Sequence, residues 1–394
     1  MHRSNAIALG GALATAISFG PARMGFGLFL PQFREEFTIS TQQASFIASA
    51  GFAGFFVALL LASLLVARWG PKCAVVAGAA SATLGMAMIS VSQSPLFLAA
   101  GVVVASASAG FCWSPFNNVA RRGVASTYRN RALAIISTGT TGGIALAGLT
   151  ALWVASADQG WRTAWVLFSL AALVAALANL RILKHLPDPP VDDPRDEDTS
   201  LKQLLHKRGM PLYIIALSFG MTNGIYLSFA VTEVGEAGGL PGLKEALSGP
   251  VLYMSFGVAG LLGLFTAELN QRLGIAALVA GIFLASTVSL ALIGVAPATW
   301  AGLIVSAALQ GMCVMMLSAI YSFWSTNLFP ALATLGFTAV LTVFAFGNIV
   351  GPMLAGALEP LTGMSGVFLL SAAVSLATAL AFVLRHIRSG NAAA

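Results

Sequence analysis

Acidic and imidazole side chains are scarce in this chain, and those present avoid its apolar segments. Of 394 residues only 9% are charged, with 14 Asp and Glu against 20 Lys and Arg. The four histidines (His2, His185, His206 and His386) sit near the termini or in the one long polar stretch, so no apolar segment holds a histidine base or metal ligand. Glu233 and Glu268 fall near segment ends, and no segment has a central Asp or Glu. Nucleophile elbows, HExxH and phosphate-binding loops are absent. These gaps argue against an enzyme and against ATP-driven pumping, and they give no reason to expect a metal or cofactor. The three cysteines, Cys73, Cys112 and Cys313, are scattered and form neither a disulfide framework nor a metal motif.

Apolar residues are abundant, at 58%. A water-soluble protein of this length could not hide so much apolar surface. The apolar material falls in twelve segments, near 6–32, 42–67, 73–93, 96–120, 132–156, 163–183, 211–235, 246–268, 274–295, 298–326, 331–357 and 364–385. Each is long enough to cross about 30 Å of hydrocarbon, and the bilayer interior allows only helices or closed barrels. The expected fold is an all-α polytopic membrane protein of twelve transmembrane helices. The first segment is too long for a cleaved leader and reads as a retained span.

Orientation follows from the basic residues. With both termini cytoplasmic, sixteen Lys and Arg fall inside, and only Arg34, Arg162 and Lys244 fall outside. The net charge of +6 then reflects topology, with no nucleic-acid partner implied. The stretch 186–210 separates an N-terminal six-helix half, 1–185, from a C-terminal one, 211–394. Its Pro- and Asp-rich start reads as a flexible cytoplasmic linker. Its end, with Leu201, Leu204 and Leu205 beside Lys202, Lys207 and Arg208, suits a short helix on the membrane surface.

The two halves correspond at an offset of 204. Arg68-Trp69-Gly70 after the second segment matches Arg272-Leu273-Gly274 after the eighth. The same offset takes Gly143 to Gly347, Ser106 to Gln310 and Asn117 to Tyr321. With this six-plus-six layout, the sequence resembles the major facilitator superfamily. The superfamily's pattern after span two is G-x-x-x-D-R-x-G-R-K; here SLLVARWGPK keeps Arg68, Gly70 and Lys72, and the second copy keeps Arg272 and Gly274. Ala67 stands where the superfamily has the aspartate that helps latch one conformation. The arginine that many relatives carry in span four is also missing. Gly139–Gly143 only partly resembles the Gly-rich antiporter motif, lacking its proline. GPARMGFGLFLPQFREEF is similar to the first span of bacterial YbfB/YjiJ-like members. The resemblance implies a secondary transporter of a bacterial plasma membrane, working by alternating access as a monomer, with a small-molecule substrate and a proton or counter-substrate as coupling partner.

Arg23 is the sharpest single feature, a cation within an otherwise apolar span. On insertion scales that costs at least about 2.5–3.5 kcal/mol near mid-membrane. Gly20 and Gly27 share its helical face and leave room for a ligand or a packed helix. A guanidinium there can anchor a carboxylate or sulfonate by a two-point fork; alternatively it bonds helix carbonyls or snorkels outward. Ser106, Gly110, Trp113 and Asn117 share one helical face, as do Gln310, Val314, Leu317 and Tyr321, and Asn223 and Tyr226 lie at mid-depth in span seven. The substrate-binding candidates are therefore Arg23, Trp113, Asn117, Asn223, Tyr226, Tyr253, Gln310 and Tyr321, with interhelical hydrogen bonding as the alternative for the polar ones. The favoured substrate is a small organic anion. Efflux of neutral or amphiphilic compounds, and a non-transporting receptor or scaffold, remain as alternatives.

Overall fold

The computed structural model describes residues 3–185, 209–329 and 333–391, which are almost wholly helical and contain no β-strand. The surface-helix reading of the linker lies outside the described residues. The first helices are α1 (Arg3–Ile17), α2 (Arg23–Phe37), α3 (Thr41–Trp69) and α4 (Pro71–Ser90). Next come α5 (Pro95–Gly110), α6 (Trp113–Gly123), α7 (Ser126–Ser156) and α8 (Trp161–Ile182). After the linker follow α9 (Met210–Glu236), α10 (Ser248–Gly260), α11 (Thr266–Val295), α12 (Trp300–Leu328) and α13 (Ala333–Asn391).

Local chemistry sets where these helices begin. Ser40 and Gln43 exchange bonds in a capping box at the start of α3, while Ser94 and Thr299 cap α5 and α12. Pro71 and Pro95 stand in first turns, where a missing N–H costs nothing. Pro21 acts differently. Between α1 and α2 the chain widens into a π-helical turn, Ser18–Ala22, with Pro21 inside it and Arg23 directly after it.

Nine helical stretches among the described residues are long and apolar enough to cross a membrane. Two of them, Glu245–Val295 and Leu335–Leu384, are 51 and 50 residues long. Each is kinked at a glycine with positive φ, Gly274 (φ 76°) and Gly363 (φ 70°). A count of twelve spans requires dividing both stretches there and adding the shorter apolar helix Pro95–Gly110. Gly70, at the turn between α3 and α4, has φ 78° and ψ 168°, against 76° and 158° at Gly274. The two arginine–glycine turns 204 residues apart thus share one backbone conformation that side-chain-bearing residues rarely adopt.

One expected span divides. Segment 96–120 is two helices, α5 and α6, with a turn at Phe111 and Cys112. Pro115 explains it: a continuous helix would lose the bond to residue 111 and force the ring against that carbonyl, whereas the first turn of a new helix accepts proline. The polar face drawn through Ser106, Gly110 and Trp113 is therefore broken between its second and third members.

Large apolar side chains such as Leu64, Leu96 and Leu361 project outward, as a lipid-facing surface requires. The inner core joins helices from both sides of the linker. Phe29, Phe33, Trp161, Trp165 and Phe168 form an aromatic knot between α2 and α8, continuous with Tyr226, Phe256 and Phe368. At the end of the bundle carrying Phe37, Arg34 pairs with Glu236 and Lys244 with Asp158, each bond crossing between the two sets of helices. Ser49 donates to the Ile349 carbonyl (2.8 Å), drawing α3 onto α13.

Candidate functional site

The space around Gly20 and Gly27 is filled by helix backbone, the second of the two options the sequence left open. A side chain on Gly20 would run into the Gly143 carbonyl on α7, and one on Gly27 into the Leu227 carbonyl on α9. These close crossings hold the Arg23 segment on two sides. The Tyr253 hydroxyl adds a tie, donating to the Met24 carbonyl at 2.7 Å with the Leu227 carbonyl also near, at 3.3 Å.

Arg23 is 7% exposed. Its guanidinium carbon lies 4.1 Å from the ring centre of Phe55, with Phe19, Phe52 and Phe344 between 5.5 and 6.0 Å. Ring faces attract a cation, by about 0.5–2 kcal/mol each at most, and so offset part of the burial cost. Rings accept no strong hydrogen bond. Nε and Nη2, the two donors on one edge of the guanidinium, are buried without a partner. No carboxylate pairs with Arg23 among the described residues. A group that has lost its water normally finds a partner in the fold, and these two charged donors have none.

A cavity of about 60 Å³ lies beside Arg23, between both sets of helices. Phe19, Phe55, Trp113 and Thr140 wall it from the first set; Phe219, Asn223, Tyr321 and Phe344 wall it from the second. Met315, Ser318 and Leu341 complete much of the rest. Among the described residues Arg23 is its one charged side chain, and the walls are mainly aromatic and aliphatic. A second space of only about 10 Å³, lined by Gly51, Phe52, Ser106 and Ser228 among others, also touches Arg23. Arg23 borders both.

Of the residues predicted to bind substrate, Arg23, Trp113, Asn223 and Tyr321 line the main cavity. The side chain of Asn117 lies outside the described residues. Tyr226, Tyr253 and Gln310 do not line it. Tyr226 packs on Phe256 and Phe368 and pairs its hydroxyl with Ser306 (3.1 Å), inside the second set of helices. Tyr253 is the tie already described. Gln310 is fully buried behind Asn223: its Nε2 donates to Asn223 Oδ1 (3.4 Å), and Asn223 Nδ2 donates to Asn348 Oδ1 (3.3 Å). This row of amides joins α9, α12 and α13, the interhelical bonding held open as the alternative. Glu233 accepts a bond from the Ser365 hydroxyl away from the cavity.

Sequence reasoning missed Phe19, Phe55, Thr140 and Phe344. Two signals were available. Phe19 is the 204-offset partner of Asn223, and Thr140 of Phe344, so each pair places cavity-lining residues at corresponding points.

The family model of the Major Facilitator Superfamily matches residues 11–298, most of the chain. The chain belongs to the major facilitator superfamily. That membership makes it a multi-pass membrane transporter of the secondary class rather than an enzyme. Solved members agree in fold. The nucleoside transporter NupG superposes with a TM-score of 0.72 at 14% identity, covering 98% of this chain and 99% of that one. A bacterial homolog of the human lysosomal transporter Spinster, inward-facing and unoccupied, gives 0.71 at 14% identity over 98% and 95%. A POT family transporter in complex with 5-aminolevulinic acid gives 0.77 at 12% identity over 96% and 95%. Likeness at this identity concerns the fold alone. No curated protein matches the sequence.

In this superfamily member the loop residues Arg68 and Lys72 are exposed, as are Arg272 and Gly274 on the second copy. Arg68 lies over the Trp69 ring (5.2 Å) and, with Ala67 beside it, has no carboxylate partner among the described residues.

Proposed function

We propose that this transporter carries a small organic anion, a carboxylate or sulfonate, held by Arg23. The observation that carries the reading is the pair of buried, unpartnered donors, Nε and Nη2, on a guanidinium that borders the central cavity. Two parallel N–H bonds to one carboxylate are the strongest and most directional interaction this side chain makes. Trp113, Asn223 and Tyr321 shape the walls around the bound anion.

Transport proceeds by alternating access, the six-helix units 1–185 and 211–394 rocking about the cavity in a bacterial inner membrane with both termini cytoplasmic. The cavity walls carry no acidic residue among those described, so coupling falls to a proton carried on the substrate or to a counter-substrate in exchange.

The second reading, efflux of a neutral amphiphile, draws on the aromatic walls and makes Arg23 a structural cation held by rings. Counterflow in proteoliposomes separates the two. Vesicles loaded with unlabelled carboxylates accumulate a labelled carboxylate through the wild-type protein and fail to do so through Arg23→Gln. Equal accumulation by both proteins sinks the anion reading.

A further inference from the structure

The Gly-rich stretch of α7 contains four threonines that differ in one respect. Thr138, Thr141 and Thr150 each donate their hydroxyl back to a carbonyl three or four residues earlier, at 2.8–3.0 Å. That is the usual fate of a threonine in an apolar helix. Thr140 makes no such bond. It is 4% exposed, its Oγ1 is buried without a partner, and it borders the cavity that Arg23 borders. An unmade hydrogen bond at a buried hydroxyl costs free energy that folding alone does not recover. Arg23 and Thr140 are therefore two independent orphaned donors on one cavity.

The rest of the lining restricts what they can hold. One fixed positive charge neutralises one negative charge. Beyond Arg23 the described lining offers a second anionic group only neutral donors, such as Trp113 and Ser318, among walls that are mainly Phe55, Phe219, Leu341 and Phe344. The described walls offer no carboxylate to neutralise the ammonium group of a zwitterion. Asn223 already spends its amide on Gln310 and Asn348, which leaves little for a polyhydroxylated body. The Phe219 and Phe344 rings stack 6.3 Å apart, and Phe19 meets Trp113 edge-on at 5.9 Å, giving flat apolar walls.

From this geometry we infer that the substrate is an apolar monocarboxylate with an aryl body, its head group held by Arg23 and Thr140 and its ring by the aromatic walls. The inference rests on Arg23 being the anion anchor and adds Thr140 as a second head-group ligand.

The test measures ligand-induced melting shifts of the purified transporter with benzoate, acetate, terephthalate and benzamide. Benzoate stabilises the protein saturably; acetate lacks the ring, terephthalate adds a charge, benzamide removes one, and each binds at least about tenfold more weakly. Thr140→Val keeps the shape, melts without ligand at or above the wild-type temperature, and loses roughly tenfold in benzoate affinity. Thr140→Ser restores the hydroxyl and the affinity. Equal benzoate affinity in wild type and Thr140→Val overturns the role of Thr140. Terephthalate or acetate binding as tightly as benzoate, but only with Arg23 present, overturns the substrate class and leaves the anion anchor standing. Binding of every anion unchanged in Arg23→Gln overturns both.

Discussion

Positions 23 and 227 stand 204 residues apart, the same spacing that separates the matching turns at Gly70 and Gly274, yet their contents are opposite. Arg23 brings a caged guanidinium to the cavity. Leu227 is used for its backbone, which crowds Gly27 and faces the Tyr253 hydroxyl. Two further pairs diverge in the same way. Phe19 and Thr140 face the cavity from one set of helices, while Asn223 and Phe344 occupy the corresponding places in the other. A repeated scaffold can thus keep its turns, and even some lining positions, while the residues at those positions change in kind. The proposed substrate, an anion with one charged end, would itself be asymmetric.

The comparison breaks most sharply if position 23 receives the residue found at 227. Arg23→Leu abolishes anion binding, by at least about a hundredfold, because two charge-assisted bonds disappear. The unliganded protein melts at or above the wild-type temperature, since an unpaired buried cation is replaced by an apolar side chain. Titration of a carboxylate followed by melting temperature reads both effects.

The backbone crossing at 27 and 227 comes next. Gly27→Ala places a methyl against the Leu227 carbonyl and destabilises by about 1–3 kcal/mol, as overpacking does. Gly142→Ala is the contrast: its added methyl meets nothing within 4 Å, and the better helix former gains about 0.5–1 kcal/mol. Denaturant unfolding of both variants in the same detergent checks the difference in sign.

Asn223→Leu cuts the amide row and leaves Gln310 and Asn348 without their partner, at a cost of about 1–3 kcal/mol. It leaves Arg23 in place, so anion selectivity persists in the folded fraction, as competition between carboxylates and their amides measures. The smallest effect belongs to the exposed Lys244–Asp158 pair. Lys244→Ala shifts stability by less than about 1 kcal/mol, because both partners stay largely in water.

Much of this was legible in the sequence because the bilayer simplifies the problem. Apolar length marked the helices, and an intramembrane arginine marked the cavity before any geometry was known. The 204 offset anticipated the shared backbone at Gly70 and Gly274. What stayed hidden depended on neighbours distant in sequence. Helical spacing assigned Tyr226 and Gln310 to polar faces without saying what covers those faces, and Tyr253 was named only as a polar residue in span eight. Tyr253 spends its hydroxyl on a carbonyl 229 residues away. Gln310 spends its amide on Asn223, 87 residues away. The break at Phe111 and Cys112 was legible in Pro115, but apolar length alone ran through it. Thr140 was passed over because its stretch was compared with a motif and not with its own offset partner, Phe344.

The most direct measurement is counterflow of a labelled aryl carboxylate in proteoliposomes, wild type against Arg23→Leu, with the unliganded melting temperature of both proteins recorded alongside. The account predicts accumulation through the wild type, none through Arg23→Leu, and a variant that melts no lower than wild type. Undiminished accumulation through Arg23→Leu would contradict it, since the arginine would then belong to the fold and not to the substrate.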